Sequence, residues 1–167
     1  MSTHALVFGK SSLGRYVHFD GYPSGVGAAL LRIVQRDGLD VARKVVLDSQ
    51  GGWVSLHGKP SRSEYDEDGK FFKNIFNGEP GTVVDFGDTS PPFVVGYGEA
   101  DVYRDPVNSD DLSNAPSCAW AYHLGDAGLN FARLDENPKI KWLGGARWDT
   151  RPEDLMDIVE LSHSLFG

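Results

Sequence analysis

Helical periodicity is confined to two parts of the chain, and this separation most limits the folds that the chain can adopt. Residues 24–48 predict two consecutive amphipathic helices, and residues 150–166 predict a third. The sequence between them consists of short apolar segments separated by turns rich in glycine and proline. Because helices and strands are segregated rather than alternating, we expect an α+β fold with a mostly antiparallel sheet, two N-terminal helices and one C-terminal helix.

The length and the turn content of the chain are consistent with this class. A chain of 167 residues fits one domain, and no repeat or linker divides it, so we expect a single domain over residues 1–167. The 20 glycines and nine prolines predict many turns and short elements. Strand character is found in the following segments: 5–8, 16–19, 82–86, 93–97, 102–104, 140–143, and a hairpin at 118–124 and 129–134.

Local signals place the ends of the helices. Ser24 can cap the first helix and Gly38 can end it, whereas the second helix is expected over 39–48. Thr150 and Glu153 have the spacing of a capping box before the last helix. Residues 51–81 are rich in polar and turn-forming residues, and we expect them to be mostly loop.

The charge of the chain is unevenly distributed. Residues 1–50 carry six Lys/Arg against four Asp/Glu, and the remainder of the chain carries ten against twenty, for a net charge of −8. An acidic surface repels phosphate backbones, so we expect no direct nucleic-acid binding and no binding to anionic membranes. An acidic face can instead meet a basic protein partner, although ordinary solubility also explains the charge.

Cysteine content and hydropathy indicate the compartment. Cys118 is the single cysteine, which excludes an intramolecular disulfide and fits a reducing cytosol. The segment MSTHALVFGKSSLG lacks the basic and long apolar regions of a signal peptide, and no apolar stretch has the length of a membrane span. We therefore expect a cytoplasmic protein.

The junction between the second predicted strand and the first helix carries a notable set of side chains. It reads RYVHFDGYPSGVG, residues 15–27. If the strand continued to Asp20, then His18 and Asp20 would share a face of the sheet. The pair could ligate a metal, act as a general base with its orienting acid, or leave Asp20 to form the turn. Two ligands do not complete a metal site, and we expect no metal and no cofactor.

The same junction could bind an anion. Free N–H groups and the dipole at a helix N-terminus attract anions, and glycines let a ligand approach the backbone closely. The pattern is neither G-x-G-x-x-G nor a Walker A loop, because no lysine follows the glycines. Alternatively, the glycines allow the helix to pack closely on the sheet. The candidate ligand-binding residues are His18, Asp20, Tyr22, Ser24, Gly25 and Gly27.

The segment YVHFDGYPSGVG, residues 16–27, resembles the His-(aromatic)-Asp-Gly-Tyr-Pro segment of a loose set of small, mostly uncharacterised bacterial and actinophage proteins. In that set, a short strand likewise leads through the segment into a helix with Val-Gly near its start. Phe19 stands where the set carries tryptophan or serine. The resemblance implies a phage or mobile-element accessory protein of the bacterial cytoplasm, and it implies no catalytic residue.

Aromatic and acidic residues in two segments are candidates for contacts with a partner protein. Trp142 and Trp148 flank LGGAR, where exposed aromatic side chains could anchor a partner, although tryptophan in a core is the commoner case. Asp66 and Asp68 belong to SRSEYDEDGK, the most polar stretch of the chain. These four residues are the predicted partner-binding set.

The chain shows no catalytic constellation. Alternation in the predicted hairpin places Cys118 and His123 on opposite faces of the sheet, which argues against a nucleophile–base pair. Our first hypothesis is a non-catalytic, phage-like accessory protein that binds and modulates, for example inhibits, a host protein through an acidic and aromatic surface. The alternative is a protein that binds or hydrolyses an anionic ligand or nucleotide at the 20–27 turn. A structural assembly component is a third possibility.

Overall fold

The computed structural model describes residues 3–48, 51–59, 64–65, 71–72, 78–85, 91–113, 115, 117–134 and 139–166. Within these ranges the chain has an α+β fold, with one large sheet of mostly antiparallel strands, two helices in its N-terminal part and one in its C-terminal part. The predicted fold class is therefore confirmed.

The large sheet has the strand order β12-β11-β10-β1-β2-β3-β8-β7-β6, with β9 paired to β2, while β4 and β5 pair separately. Among the described strands, β1 pairs with β10 in parallel and β2 with β3 in parallel, and the remaining pairs are antiparallel. The strands are β1 (His4–Phe8), β2 (Leu13–Val17), β3 (Gly52–Leu56), β4 (Glu64–Tyr65), β5 (Phe71–Phe72), β6 (Val83–Val84), β7 (Phe93–Val94), β8 (Gly98–Asp101), β9 (Val107–Asn108), β10 (Cys118–Leu124), β11 (Gly128–Arg133) and β12 (Gly144–Arg147).

Several strand predictions were wrong, and the strands β8, β9 and β12 were not predicted. Residues 102–104 form a turn after β8, and residues 140–143 precede β12 instead of forming a strand. The strand β3 lies in a stretch that we predicted to be loop, yet it is an inner strand between β2 and β8. Its place in the sheet comes from pairing with distant strands, which the local pattern of residues 51–56 does not reveal.

The helices begin and end close to the predicted positions. A π-helical turn at Pro23–Gly27 leads into α1 (Ala28–Asp37), and α2 (Leu39–Arg43) continues into a second such turn at Lys44–Asp48. Gly38 separates α1 from α2 with a φ of +88°, a backbone conformation that glycine adopts without steric cost. A 3₁₀ turn at Pro152–Asp154 precedes α3 (Leu155–Phe166).

Both predicted N-terminal caps were wrong. The first helical segment starts after Tyr22, so Ser24 lies inside its first turn and makes no capping hydrogen bond. The residue that precedes the last helical segment is Arg151 instead of Thr150, again without a side-chain cap. Proline is the first helical residue in both segments, and because it has no N–H, the first turn has one unpaired donor fewer.

The two faces of the sheet bury different clusters. The face under the helices forms the larger core, in which Tyr122 and Trp53 of the sheet pack with Leu30 of α1 and Leu155 of α3. The opposite face holds a smaller cluster of buried residues: Leu6, Phe8, Tyr16, Val107, Ala115, Cys118, Ala121, Ala132 and Leu134. We call the second face, which no described helix covers, the open face.

Candidate functional site

A hydrogen bond between a histidine and an aspartate lies at the ends of two strands. Nε2 of His18, just after β2, is 2.8 Å from Oδ2 of Asp101, the last residue of β8. The strand between them is β3, whose Gly52 is in register with Asp101. His18 and Asp101 therefore reach across β3 and join the ends of β2 and β8.

Hydrogen-bonding rules fix two protons in this cluster. A carboxylate only accepts, so His18 donates the Nε2 proton to Asp101 and keeps Nδ1 for other contacts. Nδ1 of His4 is 2.7 Å from the carbonyl oxygen of His18, which also only accepts, and His4 therefore donates from Nδ1. His4 supports the His18 backbone, while Asp101 orients the His18 ring.

Tyr16 packs against both histidine rings of this cluster, and Arg104 packs on Tyr16. The ring centroid of Tyr16 lies 4.7 Å from that of His18 and 5.4 Å from that of His4. The guanidinium carbon of Arg104 stands 4.1 Å from the Tyr16 ring centroid, a cation–π contact. A side chain at Gly52 would approach Cβ of Arg104 to 2.9 Å, so the absence of one leaves room for the arginine.

Cys118 lies near this cluster but is not a nucleophile. Burial raises the pKa of its thiol to about 12, against the opposing effect of Arg104, so the thiolate is essentially absent at neutral pH. Burial, and then the neighbouring Cys118, also raise the pKa of Tyr16, while Arg104 lowers it. The histidine–aspartate pair thus has the geometry of a general base with its orienting acid, but the nearby thiol cannot serve as its nucleophile.

The predicted face of Cys118 was wrong. The register of β1 against β10 shifts between His4 and Ala5, where Cys118 faces His4 but Trp120 faces Ala5. Cys118 consequently belongs to the open-face cluster together with Ala121, and Trp120 belongs to the helix-covered core. An irregularity of this kind reverses the alternation that a sequence pattern assumes.

Exposed apolar side chains follow both members of the histidine–aspartate pair in the chain. Phe19 follows His18 and is 48% exposed, and Val102 and Tyr103 follow Asp101 with 49% and 93% exposure. Tyr22 is 40% exposed. We call Phe19, Tyr22, Val102 and Tyr103 the aromatic surface. The side chains of Asp20 and Asp105, both exposed, are close to it in the chain and give it acidic neighbours.

The structure does not pair His18 with Asp20. The strand β2 ends at Val17, so the alternation that would place both side chains on one face does not continue. Asp20 adopts a φ of +57°, and its Oδ1 accepts a hydrogen bond of 2.9 Å from the Tyr22 hydroxyl. This bond raises the pKa of Tyr22. Asp20 is a turn residue bonded to Tyr22, whereas His18 has Asp101 as its partner.

Backbone hydrogen bonds occupy the donors of the first helical turn. The Val26 N–H donates to the Asp20 carbonyl at 2.8 Å, and the Gly25 N–H donates to the Tyr22 carbonyl at 2.9 Å. A side chain at Gly25 would overlap the Asp20 carbonyl oxygen. The turn is therefore closed by the chain itself, and these two N–H groups are not free to bind an anion.

Close packing accounts for the second glycine of the turn. A Cβ atom at Gly27 would lie 2.6 Å from Leu155 Cδ2 and 3.1 Å from Tyr122 Cε1. The Tyr122 hydroxyl donates a buried hydrogen bond of 2.7 Å to the carbonyl of Gly21. These contacts fasten the junction to both β10 and α3.

Ser24, the remaining candidate in the junction, is exposed and lines a cleft of about 350 Å³. Arg32 and Glu153 contribute the charged side chains of this cleft. Nε of Arg32 is buried without a hydrogen-bond partner in the described part of the chain, whereas its terminal nitrogen donates to the His57 carbonyl at 2.9 Å. Of the six predicted ligand-binding residues, Ser24 is thus the one that lines this cleft.

The predicted partner-binding residues differ in how far the structure exposes them. Trp148 is half-buried, and its indole N–H donates to the Gly125 carbonyl at 2.9 Å. Trp142 is 41% exposed and its ring lies beside those of Phe8 and His123. Asp66 and Asp68 lie outside the described residues. Trp142 therefore offers exposed surface, whereas Trp148 contributes mainly to packing.

Sequence reasoning missed the aspartate that completes the histidine pair and the tyrosine next to it. Asp101 is 83 positions from His18, and Tyr103 lies in a segment that we predicted to be a strand. The run Asp-Val-Tyr-Arg at 101–104 carries no metal or catalytic spacing. The available signal was a β-branched residue followed by an aromatic one, Val102 and Tyr103, and this pair favoured a strand.

Searches for related proteins and for other kinds of site give no further assignment. No family model, curated protein or solved structure matches the chain. Within the described ranges, no three His, Cys, Asp or Glu side chains are grouped so that they could hold a metal ion. The helices that the structure describes are too short or too polar to cross a membrane.

Proposed function

We propose that the chain is a non-catalytic accessory protein that binds a basic protein partner through the aromatic surface. The observation that carries this proposal is the 93% exposure of Tyr103 beside an exposed valine, at the same strand ends as the exposed Phe19. Tyrosine and phenylalanine are typical anchors of protein interfaces, because each buries a large area at a small cost in side-chain entropy.

The histidine–aspartate pair gives this surface a fixed shape. Because His18 and Asp101 are bonded at 2.8 Å, the two segments that follow them begin at a fixed separation. Arg104, stacked on Tyr16, fixes the far end of the Val102–Tyr103 turn. A surface ordered before binding loses less entropy on association than a flexible loop does.

Charge indicates the chemistry of the partner. The net charge of the chain is −8, and the exposed carboxylates of Asp20 and Asp105 accompany the aromatic surface. Complementary charge accelerates encounter and disfavours acidic partners. The resemblance of residues 16–27 to bacterial and actinophage proteins supports a host protein as the partner, met in the bacterial cytoplasm and modulated by the binding.

Capture from bacterial lysate, followed by affinity measurement, tests this proposal. A Phe19→Ser/Tyr103→Ser variant should lose capture of the partner, with a Kd raised about thirtyfold or more, as expected when an interface anchor is removed. The matched control is Leu161→Ser/Leu165→Ser, which removes similarly exposed side chains, 61% and 65%, from α3.

Equal capture by the wild type and the Phe19/Tyr103 variant would refute the proposal, provided that both have the same circular dichroism spectrum. Loss of capture in the α3 control alone would show that the partner binds at α3 instead of at the aromatic surface. A His18→Ala/Asp101→Ala variant adds a second readout, because it should weaken binding through loss of order in the two turns while leaving the aromatic side chains in place.

The alternative function, binding or hydrolysis of an anionic ligand at residues 20–27, is favoured by the cleft beside Ser24. Arg32 supplies a positive charge there, and its buried Nε has no partner among the described residues. Thermal stabilisation by AMP that is lost in Arg32→Gln would support this function. The absence of any nucleotide or phosphate-ester effect on the wild type would count against it.

A further inference from the structure

A second cleft, of about 250 Å³, lies between the β1–β2 turn and the end of the second helical segment. Lys10 and Ser11 enter it from the turn, and Arg15 enters from β2. Arg43 of α2 and Asp48 of the following π-helical turn form the other side. Three cations and one carboxylate thus line a cleft in a chain whose net charge is −8.

The arginines of this cleft are held by backbone carbonyls rather than neutralised within it. Nε of Arg15 donates to the Leu47 carbonyl at 2.6 Å, and Arg43 donates to the Leu124 carbonyl at 2.8 Å. These contacts fix the direction of each guanidinium without cancelling its charge. A preformed pair of arginines suits an oxyanion, because the planar fork matches its oxygen atoms.

The guanidinium of Arg15 is partly desolvated and incompletely hydrogen-bonded. One terminal nitrogen of Arg15 is buried and has no hydrogen-bond partner in the described residues. Burial lowers the pKa of Arg15, and Asp48 opposes this effect. Desolvation of a cation is unfavourable, and an anion in the cleft would offset this cost for the Arg15 guanidinium.

The remaining cation and the hydroxyl are also available. Lys10 makes no ion pair with a described residue, and the oxygen of Ser11 accepts from the Leu13 N–H at 3.1 Å, which leaves the hydroxyl proton free to donate. Arg43 does have a carboxylate partner, Asp126, at 3.0 Å. Asp126 is 87% exposed, so water screens this pair and it offsets little of the charge in the cleft.

We propose that the cleft formed by Lys10, Ser11, Arg15 and Arg43 binds a phosphate group. The ligand is either inorganic phosphate or a small phosphomonoester, because the volume is below the roughly 300–1,000 Å³ of pockets for drug-sized ligands. This site is separate from the aromatic surface and from the cleft beside Ser24, and it does not depend on the proposed partner binding. Loop residues Lys10 and Ser11 contact the phosphate, while Arg15 and Arg43 form the rigid side of the cleft.

Titration calorimetry with sodium phosphate at constant ionic strength tests this site. The wild type should bind phosphate more tightly than sulfate at pH 8, since the remaining P–OH group of hydrogen phosphate can donate a hydrogen bond to the Asp48 carboxylate, whereas sulfate has no donor. Lys10→Met and Arg43→Gln should each weaken phosphate binding by roughly tenfold or more, as expected for loss of a charge-assisted contact. The matched controls are Lys141→Met and Arg147→Gln, whose side chains are exposed and distant in the chain from the cleft.

Lys10→Met carries the conclusion, because Lys10 makes no described ion pair and its loss should leave the melting temperature without ligand unchanged. Phosphate binding that is absent in the wild type, or unchanged in Lys10→Met, would overturn the proposal. Loss of phosphate binding in Arg32→Gln instead would overturn it as well, by placing the ion beside Ser24. If binding resides in the Lys10 cleft, tighter binding of glycerol 3-phosphate would identify a phosphomonoester as the ligand class, and weaker binding would identify free phosphate.

Discussion

Substitution of Gly25 by alanine distinguishes two interpretations of the turn at residues 20–27: a flexible turn that binds a ligand, and a closely packed turn. A ligand-binding glycine in open space tolerates a methyl group, and alanine at a helical position ordinarily stabilises the fold. In this structure the added Cβ would overlap the carbonyl oxygen of Asp20. That oxygen is backbone and also accepts the Val26 N–H, so it cannot move without loss of the hydrogen bond. The two interpretations therefore predict opposite signs for the change in stability.

The expected magnitude follows from three contributions. Overpacking against a fixed backbone atom costs about 1–3 kcal/mol. Weakening of the Val26–Asp20 hydrogen bond adds about 0.5–1.5 kcal/mol, and the intrinsic preference for alanine returns about 0.5–1 kcal/mol. The net effect is a loss of about 2 kcal/mol in the free energy of unfolding. With a urea m-value of about 2 kcal/mol/M, the midpoint should fall by about 1 M.

Urea denaturation followed by tryptophan fluorescence measures this shift. The matched control is Gly78→Ala, where the nearest described atom to the added Cβ, in Val95, would be 3.6 Å away, an ordinary contact. Its midpoint should stay within about 0.25 M of the wild type, as expected for a surface substitution of about 0.5 kcal/mol or less. A midpoint for Gly25→Ala at or above that of the wild type would refute the packing argument and restore a flexible junction.

Three further predictions concern buried and half-buried groups. Asp37→Asn should lower the free energy of unfolding at pH 7 by about 1–3 kcal/mol. The hydrogen bond from Arg36 lowers the pKa of Asp37. The stability that ionised Asp37 contributes is therefore present above about pH 4 and is lost as the pH falls through the depressed pKa. Urea melts from pH 2 to pH 7 should therefore show the gap between Asp37→Asn and wild type narrowing in acid; a constant gap would contradict the ion pair. Cys118 should not react with a disulfide reagent at pH 8 unless urea unfolds the chain, since its thiol has a pKa of about 12. Tyr122→Phe should cost about 1–2 kcal/mol in thermal melts, because the carbonyl of Gly21 loses its buried partner; no change in stability would mean that water replaces the hydroxyl.

Local sequence signals were sufficient for the existence of the helices and of the C-terminal hairpin, although not for the two N-terminal caps or the face of Cys118. Gly38 ends α1 as predicted, because its conformation depends on the absence of a side chain. The alternation of β10 places Trp120 and Tyr122 together in the helix-covered core, as expected from their pattern. Both features are decided within a few residues of the chain.

Features that depend on distant partners could not be predicted. The strand β3 begins at the second glycine of a pair and has little alternation, and it is a strand because β2 and β8 flank it. The candidate site shows the same limit. His18 was identified from its local segment, but its partner Asp101 came from a strand end far along the chain, whereas the nearer Asp20 was occupied by the turn.

The pairing of β1 with β10 has a consequence for synthesis on the ribosome. His4 is in register with Cys118, 114 positions later, and β1 is an inner strand whose other neighbour is β2. At translation rates of roughly 5–20 residues per second, β1 waits roughly 6–23 s before its parallel partner exists. During that interval, the apolar side chains of β1 and α1 lack the β10 surface that buries them, so the nascent chain is open to chaperones and proteases. A chain that ends before Cys118 would accordingly lack the β1–β10 pair, and we expect it to be degraded rather than to accumulate.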